Sequence, residues 1–268
     1  MERIGLIAGV GRLPVEFARA ARGMGIAVVA VGIVSGVDSE LESVAEKYHA
    51  ISVGELDAVL TTLKTEGVQQ VTLLGKVTKE LIFGGALKMD RRAQALLAGL
   101  QDYSDDTIML ALVRELAKEN IAVLDQTALL KTLMPAPGVL TRREPTAAEK
   151  TDMEFGFRMA KEIGRLDIGQ TVVVKNRAVM AVEAIEGTDV CIRRGGLLAG
   201  SDAVAVKVAK PEQDLRFDVP GVGPDTIRAL IETGGSALAF EAGRTLLVER
   251  DKIIALANEH NITIVSMA

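Results

Sequence analysis

The feature that most constrains this chain is an apolar run that stops on glycine and turns into a helix. Ile4–Ala8 is short and apolar, Gly9-Val10-Gly11-Arg12-Leu13-Pro14 follows, and Pro14–Arg22 has helical composition. Proline suits the first helical turn, where its missing N–H costs little. The alternation then repeats. Ile26–Val34 is a β-branched strand, His49–Val53 a short third, and Val71–Leu74 a fourth. Leu56–Thr65 places Leu56, Val59, Leu60 and Leu63 on one helical stripe. Helical runs at Arg91–Leu100 and Asp106–Glu119 precede a fifth strand, Ala122–Leu124. Strands joined by helical crossovers make a parallel sheet with helices on both faces. Continuous rather than alternating apolar strands agree with burial on both sides.

Pro135-Ala136-Pro137-Gly138 interrupts this pattern and reads as a linker. The expected domains are residues 1–134 and 139–268. In the second, a helix from Thr146 to about Ile163 leads to a hairpin, Thr171–Lys175 and Val179–Ile185, closed around Asn176-Arg177. Further strands are expected at Ala203–Val208, Ala237–Phe240, Thr245–Val248 and Ile262–Val265, with helices at Asp225–Glu232 and Asp251–Glu259. The fold class is α/β: a parallel-sheet domain followed by a mixed α+β domain.

Composition narrows the function. With 31 Lys+Arg against 36 Asp+Glu there is no basic field to attract nucleic acid. Two Tyr, six Phe and no Trp leave few platforms for stacking bases. A single cysteine, Cys191, excludes a disulfide framework, and two histidines, His49 and His260, exclude a His-rich zinc site. The N-terminus enters a strand directly, without the shape of an export signal. The longest apolar stretch, Ile26–Val34, falls far short of the ~20 residues of a spanning helix. The chain is therefore expected in a reducing cytoplasm.

Several segments have chemistry to offer. Gly9–Pro14 lies between a strand and a helix start, where backbone N–H groups can receive a phosphate and Arg12 adds charge. A dinucleotide fingerprint would need glycine in place of Pro14 and an acid ending strand two; Asp38 lies beyond that turn. The rival reading is that the glycines only make a tight turn, and the charge of Arg12 at the same spot favours the phosphate. Lys76, in Gly75-Lys76-Val77, follows the fourth strand, where ligands of open sheets sit. Ser104-Asp105 reads as a helix cap. Thr188, before Asp189, would cap a helix or bind a phosphate oxygen. The segment from Lys207 to Gly223 crowds Lys207, Lys210, Gln213, Asp214, Arg216 and Asp218 between prolines and glycines. That mixture suits phosphoryl chemistry: carboxylates for a hard cation, cations for phosphate. No nucleophilic triad can be assembled, and Cys191 reads as a small buried apolar group.

Together these motifs resemble the UDP-2,3-diacylglucosamine pyrophosphatases of the LpxI type. The resemblance rests on Gly5-Leu6-Ile7-Ala8-Gly9 with Gly11 and Leu13-Pro14, on Gly75-Lys76-Val77, and on Asp167-Ile168-Gly169-Gln170. It continues through Glu183–Asp189 and the Lys207–Gly223 segment with Asp218-Val219-Pro220. It implies a Rossmann-like N-terminal domain, a distinct C-terminal domain and a homodimer. It also implies a cytoplasmic enzyme working at the inner membrane, in peripheral contact with it. The activity implied is Mg²⁺-dependent cleavage of UDP-2,3-diacylglucosamine, a nucleotide-lipid, to UMP and 2,3-diacylglucosamine 1-phosphate in lipid A biosynthesis. Carried onto this chain, Asp218 is the metal-binding aspartate and Asp214 a second ligand or water-orienting base, with Lys207 and Lys210 neutralising phosphate. The expected substrate contacts are Gly9, Gly11, Arg12, Leu13, Pro14, Lys76, Asp105, Gln170, Thr188, Asp189, Gln213 and Arg216. Two other classes stay open: a sugar-nucleotide or NAD(P)-linked enzyme, and a non-catalytic nucleotide-lipid binding protein.

Overall fold

The computed structural model describes residues 3–78, 87–211, 214–217 and 219–268. The chain forms two compact units, Met1–Leu130 with Leu215–Phe217, and Lys131–Asp214 with Asp218–Ala268.

The first unit is a parallel sheet of β1 (Arg3–Ala8), β2 (Ala27–Gly32), β3 (Lys47–Ala50), β4 (Gln70–Leu74) and β5 (Ala122–Val123), in the order β3-β2-β1-β4-β5. Its helices are α1 (Leu13–Gly23), α2 (Glu40–Val44), α3 (Leu56–Thr65), α4 (Arg91–Ala98) and α5 (Asp105–Lys118). The expected stripe of α3 is the one it buries. Strand β2 is buried along its whole length, which is why its sequence is apolar without alternation. Fully buried Phe17, Leu6, Leu60, Leu63 and Leu74 anchor the core, each worth roughly 1.5–3 kcal/mol of transfer free energy. The third strand lies at the sheet edge and is partly exposed; it starts at Lys47 and ends at Ala50, earlier than expected from the apolar residues of His49–Val53. The sheet order reverses between β1 and β4, the switch point beyond whose carboxyl ends open α/β sheets take their ligands.

The second unit contains β6 (Gly138–Val139), α6 (Ala147–Arg165), β7 (Thr171–Lys175), β8 (Ala178–Val182), α7 (Thr188–Ala199) and β9 (Val204–Lys207). It continues with β10 (Gly221–Val222), α8 (Pro224–Glu232), β11 (Ala237–Glu241), β12 (Leu246–Leu247), α9 (Arg250–Glu259) and β13 (Thr263–Met267). The six-stranded sheet has the order β6-β13-β11-β9-β7-β8. Strands β13, β11 and β9 are parallel, whereas β6 and the β7–β8 hairpin add antiparallel edges. Asn176 and Arg177 both take positive φ, 52° and 57°, as a two-residue hairpin turn requires. Strand β8 stops at Val182 rather than Ile185, whose side chain is fully exposed.

Two expected segments are built differently. The Pro135–Gly138 linker is tied into the second sheet: Gly138-Val139 pairs with β13, and the Pro135 carbonyl accepts from Gly243 N at 3.1 Å and Ser266 Oγ at 3.2 Å. The Thr245–Val248 strand contracts to Leu246-Leu247 and pairs with Gly221-Val222 in a separate two-stranded ribbon.

Candidate functional site

In the second unit, parallel strands β9 and β11 deliver Lys207 and Glu241 at their carboxyl ends. Lys207 is 6% exposed, and its ammonium donates to Thr188 Oγ1 and to the Gly221 carbonyl, both at 2.9 Å. Thr188 Oγ1 donates in turn to Glu183 Oε1 at 2.9 Å, and Gln170 N donates to Glu183 Oε2 at 3.3 Å. An ammonium only donates and a carboxylate only accepts, so the direction of the hydroxyl proton is fixed. The single proton of Thr188 is therefore directed to Glu183. Nor does Thr188 cap its helix: Gly187 holds that position, and Thr188 is the first residue of α7. Asp189, in the same turn, accepts from Thr226 Oγ1 at 2.9 Å. The Lys207 ammonium and the first-turn N–H groups of α7 thus share this corner with the Glu183 and Asp189 carboxylates.

The chain leaving Lys207 is clamped. Lys161 Nζ donates to both Glu241 oxygens, at 2.7 and 2.6 Å, and to the Ala209 carbonyl at 3.1 Å. Glu241 Oε2 accepts from Ala209 N at 2.8 Å. Both polar groups of Ala209 are thus held between the two candidate cations, and Lys210 pairs with Asp167 at 2.7 Å. Cys191 lies on the buried face of α7, where burial and then the Glu183 carboxylate push its thiol up to about 12, leaving it unreactive.

In the first unit, the two glycine motifs meet. Val10 and Lys76 exchange backbone hydrogen bonds, each 2.8 Å. A Cβ on Gly9 would lie 2.6 Å from the Lys76 carbonyl oxygen, and one on Gly75 2.6 Å from the Gly9 carbonyl carbon. These glycines permit two backbones to touch. Arg12 is not an isolated charge: it reaches Glu40 at 2.6 Å and Asp38 at 3.0 Å, with Glu40 the stronger influence holding the guanidinium charged. Asp38 is held below the usual carboxylate range by the Glu40 backbone N–H and then by Arg12. Leu13 and buried Pro14 open α1, Gly11 pairs with Val37, and Lys76 is exposed. Ser104 caps α5 by accepting from Thr107 N at 3.2 Å, as expected.

Leu215–Phe217 joins this first unit. Gln126 N donates to the Leu215 carbonyl at 2.8 Å, the Gln126 side-chain amide donates to the Leu73 carbonyl, and Phe217 packs on the cluster containing Leu73 and Val71. Arg216 sits 5.8 Å over the Phe217 ring. Glu183, Lys161, Glu241 and Gln126 were not among the expected site residues; the one local signal was that Glu183 opens the Glu183–Asp189 motif.

Asp218, Gln213 and the side chain of Asp105 lie outside the described residues. Half-buried Asp214 is the described member of the expected metal pair. Among the described residues no three His, Cys, Asp or Glu side chains converge. Mg²⁺ binds through one or two carboxylates and completes its shell with water and substrate phosphates; of the expected pair, the described residues offer Asp214. Among the described residues no helix is long and apolar enough to cross a membrane.

Comparison with known proteins gives an end-to-end match. The family models for the LpxI N-terminal and C-terminal domains match residues 3–133 and 136–265. The UDP-2,3-diacylglucosamine pyrophosphatase LpxI of Caulobacter vibrioides is 32% identical over 97% of this chain and 95% of its own. The bifunctional purine biosynthesis protein PurH of Bradyrhizobium diazoefficiens is 30% identical over 47% of this chain and 24% of its own. Among solved structures, the biotin carboxylase domain of a single-chain bacterial carboxylase covers 64% of this chain and 36% of its own, at 16% identity and a TM-score of 0.29. That likeness is too slight to bear on fold or function.

Proposed function

The chain belongs to the LpxI family, and from that premise we propose that it hydrolyses the pyrophosphate of UDP-2,3-diacylglucosamine, with Mg²⁺, to UMP and 2,3-diacylglucosamine 1-phosphate. The geometry that supports this is buried Lys207 held at the start of α7, its ammonium fixed by Thr188 and the Gly221 carbonyl at the carboxyl end of β9.

Water attacks the sugar-side phosphorus, the bond from that phosphorus to the bridging oxygen breaks, and UMP leaves with that oxygen. Such a reaction needs neutralised charge and in-line water more than covalent chemistry. Lys207 is held in place by Thr188 and Gly221 to face the developing charge. Lys210 adds a second cation on the clamped segment. Asp214 and Asp218 would hold the metal ion, which when bound supplies positive charge to the phosphoryl oxygens. The Gly9–Pro14 loop and Lys76, at the carboxyl ends of β1 and β4, receive the nucleotide. The substrate carries acyl chains, and the protein works in the cytoplasm against the inner membrane as a homodimer.

The test is release of UMP from UDP-2,3-diacylglucosamine in Mg²⁺ and in chelator, with wild type and Asp218→Ala. Wild type in Mg²⁺ releases UMP. Chelator stops it, and Asp218→Ala lowers turnover at least ~1000-fold while the variant still folds and binds substrate. Near wild-type turnover by that variant would remove Asp218 from the mechanism.

A further inference from the structure

We infer that Lys161 and Glu241 are positioning residues, fixing the backbone between the two candidate cations, Lys207 and Lys210. The inference rests on the hydrolase reading above and adds to it an ion pair outside the charged motifs.

Strand β9 ends at Lys207, whose register partner on β11 is Phe240, and Glu241 follows Phe240. Beyond Lys207 the chain is held residue by residue. Val208 N donates to the Gln170 carbonyl at 3.0 Å. Ala209 is buried, and both of its backbone groups are met by side chains: its N–H donates to Glu241 Oε2 at 2.8 Å and its carbonyl accepts from Lys161 Nζ at 3.1 Å. Buried backbone groups must find partners, and here an ion pair supplies what a further strand residue would. Lys161 Nζ closes the pair by donating to both Glu241 oxygens, at 2.7 and 2.6 Å. Lys210 then pairs with Asp167, just past α6, at 2.7 Å. The end of α6 lies close by, since a Cβ on Gly164 would be 3.5 Å from Lys210 Cα.

Stability alone does not call for this pair. Apolar side chains of similar volume often match or surpass a buried ion pair, and α6 packs that way elsewhere. Met153 and Phe157 meet Val204, Val206, Ala237 and Ala239, and Ala160 meets Val172, Val174 and Val208. What an apolar pair could not do is bond Ala209 on both sides. The same helix carries a second ion pair for comparison. Glu149, in its first turn, pairs with Arg143, which donates to the Ser236 carbonyl at 2.6 Å and the Asn261 carbonyl at 2.8 Å, just ahead of β11 and β13. One ion pair thus ties α6 to the amino ends of the strands, and the other ties it to the carboxyl end of β11, beside the chain leaving Lys207. Catalytic groups misplaced by about 1 Å lose on the order of 100-fold in rate.

The experiment compares wild type, Lys161→Met, Lys161→Arg, Glu241→Gln and Glu149→Gln in three readouts. These are thermal unfolding, amide hydrogen exchange of Ala209 relative to Ala205 within β9, and kcat and KM for UDP-2,3-diacylglucosamine in saturating Mg²⁺ below every Tm. Lys161→Met is expected to speed the relative exchange of Ala209 about tenfold and lower kcat ~10–100-fold, with KM within about threefold. Lys161→Arg, which keeps a cation for Glu241, restores most of both. Glu241→Gln, which keeps the shape and an acceptor for Ala209 N, shows the same split in milder form and serves if Lys161→Met melts early. Glu149→Gln lowers Tm but leaves kcat within about twofold of wild type. Faster Ala209 exchange with unchanged kcat would overturn the inference. So would wild-type exchange in both Lys161→Met and Glu241→Gln, or an equal loss of kcat in Glu149→Gln. If wild type itself does not hydrolyse the substrate, the hydrolase reading fails and the positioning role falls with it; the exchange rates then report separately on the clamp.

Discussion

Val10 and Lys76 donate their backbone N–H groups to each other's carbonyls, both at 2.8 Å, so the loops after β1 and β4 are joined before any ligand arrives. The glycines flanking that pair, Gly9 and Gly75, are spaced for backbone contact, and Gly75 also takes φ +93°.

Gly9→Ala should therefore be a stability variant first. The added Cβ meets backbone atoms that cannot rotate away, at 2.6 Å from the Lys76 oxygen. The expected cost is about 2–4 kcal/mol, a fall in Tm of roughly 5–10 °C by calorimetry. An alanine variant with wild-type Tm but weakened UMP binding would assign this glycine to phosphate alone.

Thr188→Val removes the hydroxyl between Lys207 and Glu183 while keeping its shape. Two buried charged groups then each lose a partner, at about 1–3 kcal/mol in stability. Hydrolysis should fall ~10–100-fold, whereas Thr188→Ser retains most of both. Valine at wild-type stability and rate would show that the hydroxyl link is incidental.

Acid should weaken the second unit through Glu149. Burial pushes this carboxyl up, but the Arg143 guanidinium and then the Thr146 backbone N–H outweigh it and hold it at about 2, against an ordinary 4.5. A depressed carboxyl contributes stability that is complete above its unfolded value, so the contribution is full above about pH 4.5 and is lost as pH falls toward 2. Glu149→Gln should cost on the order of 2–3 kcal/mol at pH 7, and its stability should fall less steeply than wild type between pH 4.5 and 2. Parallel urea midpoints for the two proteins across that window would contradict this.

What the sequence disclosed was what local periodicity can encode. The apolar stripe of α3, the buried strands β1 and β2 and the Asn176-Arg177 turn each leave a pattern within a few residues. The two-residue strands Gly138-Val139 and Gly221-Val222 are too short to have a period, so in sequence the one looks like linker and the other like loop. The partners of Arg12 and Lys207 were hidden for a different reason. Asp38 and Glu40 lie 26 and 28 residues beyond Arg12, while Thr188 lies 19 before Lys207, and only the folded sheets bring them together. The same applies to Lys161 and Glu241, 80 residues apart, and to Phe217, whose packing partners belong to the other half of the chain. The motifs disclose Lys207 and Thr188 as charged or polar residues but not the hydrogen bond that Thr188 donates to Glu183.

Hydrolysis of UDP-2,3-diacylglucosamine in ¹⁸O-water, with mass spectrometry of both products, bears most directly on the proposed activity. One ¹⁸O is expected in 2,3-diacylglucosamine 1-phosphate and none in UMP, since water attacks the sugar-side phosphorus. Label in UMP would contradict the direction of attack, and the absence of both products would contradict the activity itself.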